Sequence, residues 1–210
     1  HLGPMKNFVY LVGPAHRPEV AVIDPAWEVE QIALALNADN KRLSAIVVTH
    51  HHSDHLNGVS QLLGRYPAHV YVQRTEFEFA RASFAEFENS LVCLDDGQSI
   101  DVGGLPLECI HTPGHTPGAQ CIHCQGALFT GDTLFVNACG RCDLPGGSAH
   151  ELYESLHHRM RRFADDAVVY PGHDYGDIQV STLERERQQN PYFRCTSESE
   201  FVSLRSRPRG

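Results

Sequence analysis

The segment Thr49-His50-His51-His52-Ser53-Asp54-His55 places four metal-capable side chains within six residues: His50, His52, Asp54 and His55. Neutral imidazoles and carboxylates are the donors that borderline divalent ions such as zinc prefer. The bland alternative is a histidine-rich surface loop whose spacing is chance. Three later residues weigh against it. His115 sits in His111-Thr112-Pro113-Gly114-His115-Thr116-Pro117-Gly118, a loop stiffened by proline and glycine. Asp132 ends Phe129-Thr130-Gly131-Asp132, and His173 ends Val169-Tyr170-Pro171-Gly172-His173. Each follows a strand-like run, so seven donors of matching chemistry occur at strand ends, where α/β folds place their sites.

The elements that must position them are legible from periodicity. Strands are expected over residues 7–12, 20–23, 45–48, 70–72, at 92, and over 100–102, 105–110, 119–124, 127–130 and 167–170. Helices are expected over 29–36, 56–65, 77–87, 149–162 and 177–188, with a long loop over 131–148. The chain divides into two similar halves, each with strands first and helices around them. That organisation suggests two sheets face to face with helices outside, and it shows no linker, short repeat or low-complexity segment.

Composition narrows the function. The chain has 210 residues, 41% of them hydrophobic, enough for a sizeable core. With 26 acidic and 17 basic residues its formal charge is −9, which disfavours nucleic acid or an anionic membrane as partner. The basic end, Arg205-Ser206-Arg207-Pro208-Arg209, reads as a frayed solvated tail. No apolar run approaches the roughly 18–20 residues that span a bilayer, and no secretory signal is visible. The first residue is His1 rather than Met, so native residues ahead of it are expected to be missing or replaced. Seven cysteines, an odd number, suggest a reducing, cytoplasmic setting. Cys121/Cys124 and Cys139/Cys142 have zinc-ribbon spacing. However, residues three apart in a strand point to opposite faces, which disfavours shared ligation by Cys121 and Cys124. Redox chemistry of the thioredoxin kind and a nucleophilic Cys139 are disfavoured as well.

With these residues in place, the chain resembles the metallo-β-lactamase superfamily over nearly its whole length. Within it, the chain is most similar to glyoxalase II-like (hydroxyacylglutathione hydrolase-like) metallohydrolases. The closer likeness rests on Thr49-His50-His51-His52, Thr112-Pro113-Gly114-His115-Thr116, Thr130-Gly131-Asp132-Thr133-Leu134-Phe135, Cys139-Gly140-Arg141 and Asn190-Pro191-Tyr192-Phe193. The resemblance implies an α/β fold, the four-layer αββα sandwich. It implies one domain over residues 1–210, with a short extension from about 190, and metals in a cleft at one edge. His50, His52 and His115 would bind a first metal, Asp54, His55 and His173 a second, and Asp132 would bridge them. Two divalent ions are implied, zinc first, with iron or manganese as alternatives. Among the other histidines, His51 is expected to point away, and His111 to support the His115 loop or the ligands.

The activity implied is thioester hydrolysis, by metal-bound hydroxide attacking the carbonyl carbon. Zinc lowers the pKa of bound water from about 15.7 to about 7, worth roughly 12 kcal/mol at about 1.36 per unit. Asp132 would hold the metal pair and Asp54 would orient the nucleophile. Arg141 and Tyr175 match positions that contact the glutathione part of the substrate in that group; a surface ion pair and a packed ring are their ordinary alternatives. Glyoxalase II proper carries a helical C-terminal domain, whereas few residues follow His173 here. Acyl thioesters of glutathione, coenzyme A or an acyl-carrier protein are therefore all candidate substrates. A second reading is a persulfide dioxygenase with one iron on His50 or His52, His115 and Asp132, acting on glutathione persulfide. A third is a non-catalytic metal-containing binding protein, against which the complete ligand set argues. Flavodiiron chemistry is disfavoured because His52 stands where glutamate would be needed. A lactamase role is disfavoured because Asp132 replaces the cysteine of the commonest zinc lactamases. The sequence leaves the oligomeric state open.

Overall fold

Alternate residues of the central strands serve two different cores. In the computed structural model, which describes residues 1–207, β1 (Tyr10–Val12), β2 (Glu19–Ile23), β3 (Arg42–Val47), β4 (His69–Gln73) and β5 (Leu91–Leu94) form one sheet in that order. Val20, Val22, Ile46, Val70 and Val72 turn to one side, while Ala21, Ile23, Ala45 and Val47 turn to the other. This is the period of two that a strand imposes.

The β2–β3, β3–β4 and β4–β5 pairs are parallel, so each needs a crossover connection. Helix α1 (Val29–Ala38) makes the first and buries Val29, Ile32, Ala33 and Leu36, the stripe expected from the sequence. The second crossover carries α2 (Ser53–Leu56) and α3 (Val59–Leu63), and the third carries α4 (Arg74–Phe79) and a 3₁₀ run, Arg81–Ser90.

The second sheet contains β6 (Ser99–Val102), β7 (Leu105–His111), β8 (Gln120–Cys124) and β9 (Ala127–Gly131). A two-stranded ribbon follows, β10 (Leu134–Phe135) with β11 (Ala138–Cys139). After α5 (Ala149–Glu154), β12 (Val168–Pro171) joins β9 in parallel, and β13 (Ser181–Thr182) closes the edge. Helices α6 (Leu183–Gln189) and α7 (Glu198–Arg205) end the described chain.

Three hydrophobic clusters lie between four layers. One sits between the first sheet and its helices. One lies between the sheets, where Ala21, Val47, Leu107, Ile122 and Phe129 meet. The third lies between the second sheet and α5, α6 and α7. The expected αββα sandwich is therefore present. Cys124 faces the inter-sheet core and Cys121 the outer one, so the strand geometry separates that pair as anticipated.

Several boundaries differ from the periodicity reading, each for a local reason. The helix expected over 56–65 begins at Ser53 and breaks at Gly58, so Asp54 and His55 ride a short helix rather than a loop. A Cβ at Gly58 would lie 2.5 Å from the Pro25 carbonyl oxygen, so only glycine allows that approach. The helix over 77–87 is α4 plus the 3₁₀ run, kinked at Phe87. The helix over 149–162 passes through a π segment, Ser155–Arg159, where buried Ser155 donates to the Pro113 carbonyl.

The helix over 177–188 starts only at Leu183. Ser181 and Thr182 pair with β12 instead, and the Thr182 hydroxyl accepts from Arg185 N to cap α6. The strand over 7–12 shortens to Tyr10–Val12, because Asn7 bridges to His173 instead. The 131–148 loop holds the β10–β11 ribbon. The basic end is not wholly frayed: Ser206 and Arg207 are exposed, but Arg205 belongs to α7. Helix α7 buries Phe201, and Arg205 is largely buried, with its guanidinium donating to the Tyr192 hydroxyl at 2.9 Å. Pro208 and Arg209 of the basic end lie outside the described residues.

Phe201 thus belongs to the outer core of the second sheet. Phe201→Ala is expected to destabilise the protein by about 3–5 kcal/mol, the range for a large buried aromatic. Urea unfolding of the two proteins checks this. A loss under 1 kcal/mol would mean that α7 contributes little to the core.

Candidate metal centre

All seven predicted donors converge at one edge of the sandwich. His50 and His52 follow β3, and Asp54 and His55 occupy α2. His115 lies between β7 and β8, Asp132 follows β9, and His173 follows β12. These segments leave the carboxyl ends of strands in both sheets, so the site forms only when the sheets are packed together. Gly172 allows a close approach, since a Cβ there would lie 2.6 Å from Asp132 Oδ1.

The donors form two sets. His50 Nε2 and His115 Nε2 each lie 3.0 Å from His52 Nδ1. In the other set, His55 Nε2 and His173 Nε2 are 3.3 Å apart, and each is 3.4 Å from both Asp54 Oδ2 and Asp132 Oδ1. Asp132 Oδ2 turns back toward the first set, 3.5 Å from His115 Nε2. Four donors at about 2.0–2.1 Å around a tetrahedral cation are spaced by about 3.3 Å, so the observed separations are those of ligand edges. Asp132 Oδ1 is buried and accepts no hydrogen bond, and Asp132 as a whole stands between the sets. The residues therefore fit one cation in each set, with Asp132 shared. Triads His50/His52/His115, His50/His55/Asp132 and Asp54/His55/His173 are each close enough to hold an ion.

Partners on the far ring nitrogens fix the tautomers. His115 Nδ1 lies 2.7 Å from the Arg141 carbonyl, His173 Nδ1 2.9 Å from the Met5 carbonyl, and His55 Nδ1 2.9 Å from Asp24 Oδ2. Thr49 Oγ1 donates to Asp24 Oδ2 at 2.6 Å, which leaves its lone pair to accept from His50 Nδ1 at 3.0 Å. In all four rings Nε2 is left facing the centre, as second partners do in metal sites.

Charge follows burial. Desolvation pushes His50 well below the usual imidazole range, with neighbouring imidazoles adding to it, and brings His52 down to about 4. Desolvation also lowers His115. These rings are neutral, with lone pairs free to ligate, at pH 7. His55 goes the other way: burial opposes its charge, but Asp24 and Asp132, with Asp54, outweigh it and raise it to about 9. Asp132 is held well below the ordinary carboxylate range, because attraction to His55 and the neighbouring imidazoles overcomes its burial.

Three residues of the site were not among the sequence candidates. Asp24, at the end of β2, orients His55 directly and His50 through Thr49. Glu76, fully buried in α4, accepts from His51 N and ring, Thr116 Oγ1 and Gly118 N, and so ties the His50–His52 loop to the His115 loop. Asn7 donates to Asp54 Oδ2 at 2.9 Å and is itself held by Trp27. Only Asp24 carried a sequence signal, since it follows an apolar strand just as Asp132 does. His51 turns toward Glu76, as expected. His111 pairs with the Pro117 carbonyl and closes the His115 loop without touching a donor.

A cavity of about 380 Å³ opens over the donors, walled by Met5, Phe135, Arg141, Leu144 and Tyr175. Arg141 forms a two-pronged ion pair with Asp143, and Tyr175 stacks on His173 at 4.6 Å. Both residues thus show their ordinary structural role and a place in the cleft wall together.

The profile of the metallo-beta-lactamase superfamily matches residues 2–173. The chain belongs to that superfamily. Among its members, the probable polyketide biosynthesis zinc-dependent hydrolase PksB of Bacillus subtilis (strain 168) is 33% identical over 201 residues, covering 96% of this chain and 88% of that protein. The mitochondrial persulfide dioxygenase ETHE1 of Homo sapiens is 36% identical over 201 residues, covering 94% and 75%. A hydroxyacylglutathione hydrolase of Aeromonas hydrophila subsp. hydrophila is 37% identical over 169 residues, covering 80% of this chain but 61% of that protein. The superfamily relatives thus include both hydrolytic and oxygen-using enzymes, and the glutathione hydrolase extends well beyond the matched part.

Two outcomes are expected. Asp24→Asn should weaken zinc binding about 10–100-fold, the usual cost of losing a ligand's partner, with little loss of fold; competition with a chelator measures it. Because His55 is protonated below about pH 9 without metal, an ion taking its Nε2 must displace a proton. Zinc affinity should therefore rise about tenfold per pH unit between pH 7 and 9. Calorimetry in buffers of different ionisation enthalpy reads the released proton.

Proposed function

We propose that the chain is a metal-dependent thioester hydrolase with a dinuclear centre. The observation that carries this is the split of Asp132, one oxygen facing each of two complete donor sets whose rings are both oriented from behind. When bound, a divalent pair supplies water of lowered pKa and an electrophile for the carbonyl oxygen.

The chain's own residues do the rest. His50, His52 and His115 would hold one ion, Asp54, His55 and His173 the other, and Asp132 both. Asp54, steadied by Asn7, keeps its carboxylate toward the cleft, where it can orient a water and accept its proton. Arg141 and Tyr175 flank the path of the thiol half, with Arg141 available to an anionic carrier. A thiolate leaves without a strong acid, because its conjugate thiol has a pKa of about 8.5. The carrier is a thiol such as glutathione, coenzyme A or the arm of an acyl-carrier protein; the similarity to PksB supports the last. Seven cysteines without a disulfide suit a cytoplasmic setting.

The second reading is a persulfide dioxygenase with one iron on His50, His115 and Asp132, and the similarity to human ETHE1 supports it. One experiment separates the two: metal content per chain, followed by a thioester panel and oxygen uptake with glutathione persulfide. Two ions per chain, thioester turnover without oxygen uptake, and loss of both turnover and metal in a folded Asp132→Ala variant are expected. One iron per chain with oxygen uptake would overturn the hydrolase in favour of the dioxygenase.

A further inference from the structure

A second cavity, of about 430 Å³, adjoins the cleft across His52 and Ser53, which line both. It lies between α2–α3 and the 3₁₀ run, and Arg141 does not line it. Its volume is within the range of small-molecule sites. Leu56 and Phe87, both buried, form an apolar floor. Ser53, Asn57 and Ser83 offer exposed polar side chains above it. Ser60 donates to Glu86 at 2.8 Å and aims that carboxylate along the wall. No lysine or arginine lines this arm.

The two arms therefore differ: one carries the Arg141 guanidinium, held by Asp143, and the other the Glu86 carboxylate with no lysine or arginine beside it. A thioester carbonyl over the donors must send its thiol half one way and its acyl half the other. Building on the thioester reading, we infer that the acyl half occupies the Glu86 arm, which selects uncharged chains bearing hydroxyl or amide groups and rejects chains ending in an anion. Ser53, Asn57 and Ser83 pair with the chain's hydroxyls, the apolar floor takes its methylenes, and Glu86 repels a terminal carboxylate.

The test uses metal-loaded protein and glutathione thioesters of acetic, 3-hydroxyhexanoic and adipic acids, with acetyl as the reference. Calorimetric binding of the corresponding non-hydrolysable ketones, with CH₂ in place of sulfur, runs in parallel. Wild type should favour 3-hydroxyhexanoyl over adipoyl at least tenfold in kcat/KM and in affinity. Glu86→Lys should reduce that ratio at least tenfold, and Ser83→Trp should raise KM for 3-hydroxyhexanoyl relative to acetyl. Hydrolysis of all three thioesters with the ratio unchanged in both variants would overturn the acyl arm while leaving the hydrolase standing. Failure to hydrolyse any of them, acetyl included, and equally the same acyl groups carried on coenzyme A and on pantetheine, would overturn the hydrolase. In that event equal affinity of the two longer ketones, unchanged by Glu86→Lys, would overturn the arm as well.

Discussion

One buried carboxylate, Asp24, ties the two donor sets of the metal centre together. It accepts from the Thr49 backbone and hydroxyl and from the His55 ring, so a single side chain sets the orientation of a histidine in each donor set. A buried carboxylate is costly unless it is fully engaged. Here both oxygens are engaged, and the partners it fixes are the groups a cation needs. The charge on His55 is a consequence: ringed by Asp24, Asp132 and Asp54, it stays protonated where His50, His52 and His115 lose their protons.

That arrangement spans the sandwich. Asp24 and the His50–His55 segment leave one sheet, while His115, Asp132 and His173 leave the other. Packing Ala21, Ile23, Ala45 and Val47 against Leu107, Ile122 and Phe129 is therefore what brings the two donor groups together. Glu76 adds a second bond between the halves, because α4 belongs to the first sheet and the His115 loop to the second. Metal binding and sheet packing are coupled through the same contacts, as in other sites whose ligands are assembled by folding.

Superfamily membership does not choose a reaction, since the relatives include both a hydrolase and a dioxygenase. The surroundings of the donors carry that information. Arg141 and Tyr175 on one side, and Glu86 with its serines on the other, make the cleft asymmetric in charge. Asymmetry of this kind distinguishes the two halves of a substrate, and the shared ligands cannot supply it.

The sequence by itself pointed to the candidate donors and to the layers. H-x-H-x-D-H is a local pattern, and His115, Asp132 and His173 each follow an apolar strand, so residue type and position sufficed. The two similar halves, each with strands first and helices around them, likewise suggested two sheets with helices outside. Where tertiary contacts compete with local preference, the sequence was silent. Asn7 abandons a strand to bridge His173, Thr182 leaves a helix to pair with β12, and Arg205, expected in a solvated tail, is largely buried against Tyr192. Only the tertiary structure decided which buried acids serve the site. Glu76 sits in a short helix among charged residues that nothing in the sequence distinguishes, and its partners come from His51, Thr116 and Gly118. A hydrogen bond between segments about 40 residues apart is fixed by how the sheets pack, and no local pattern records it.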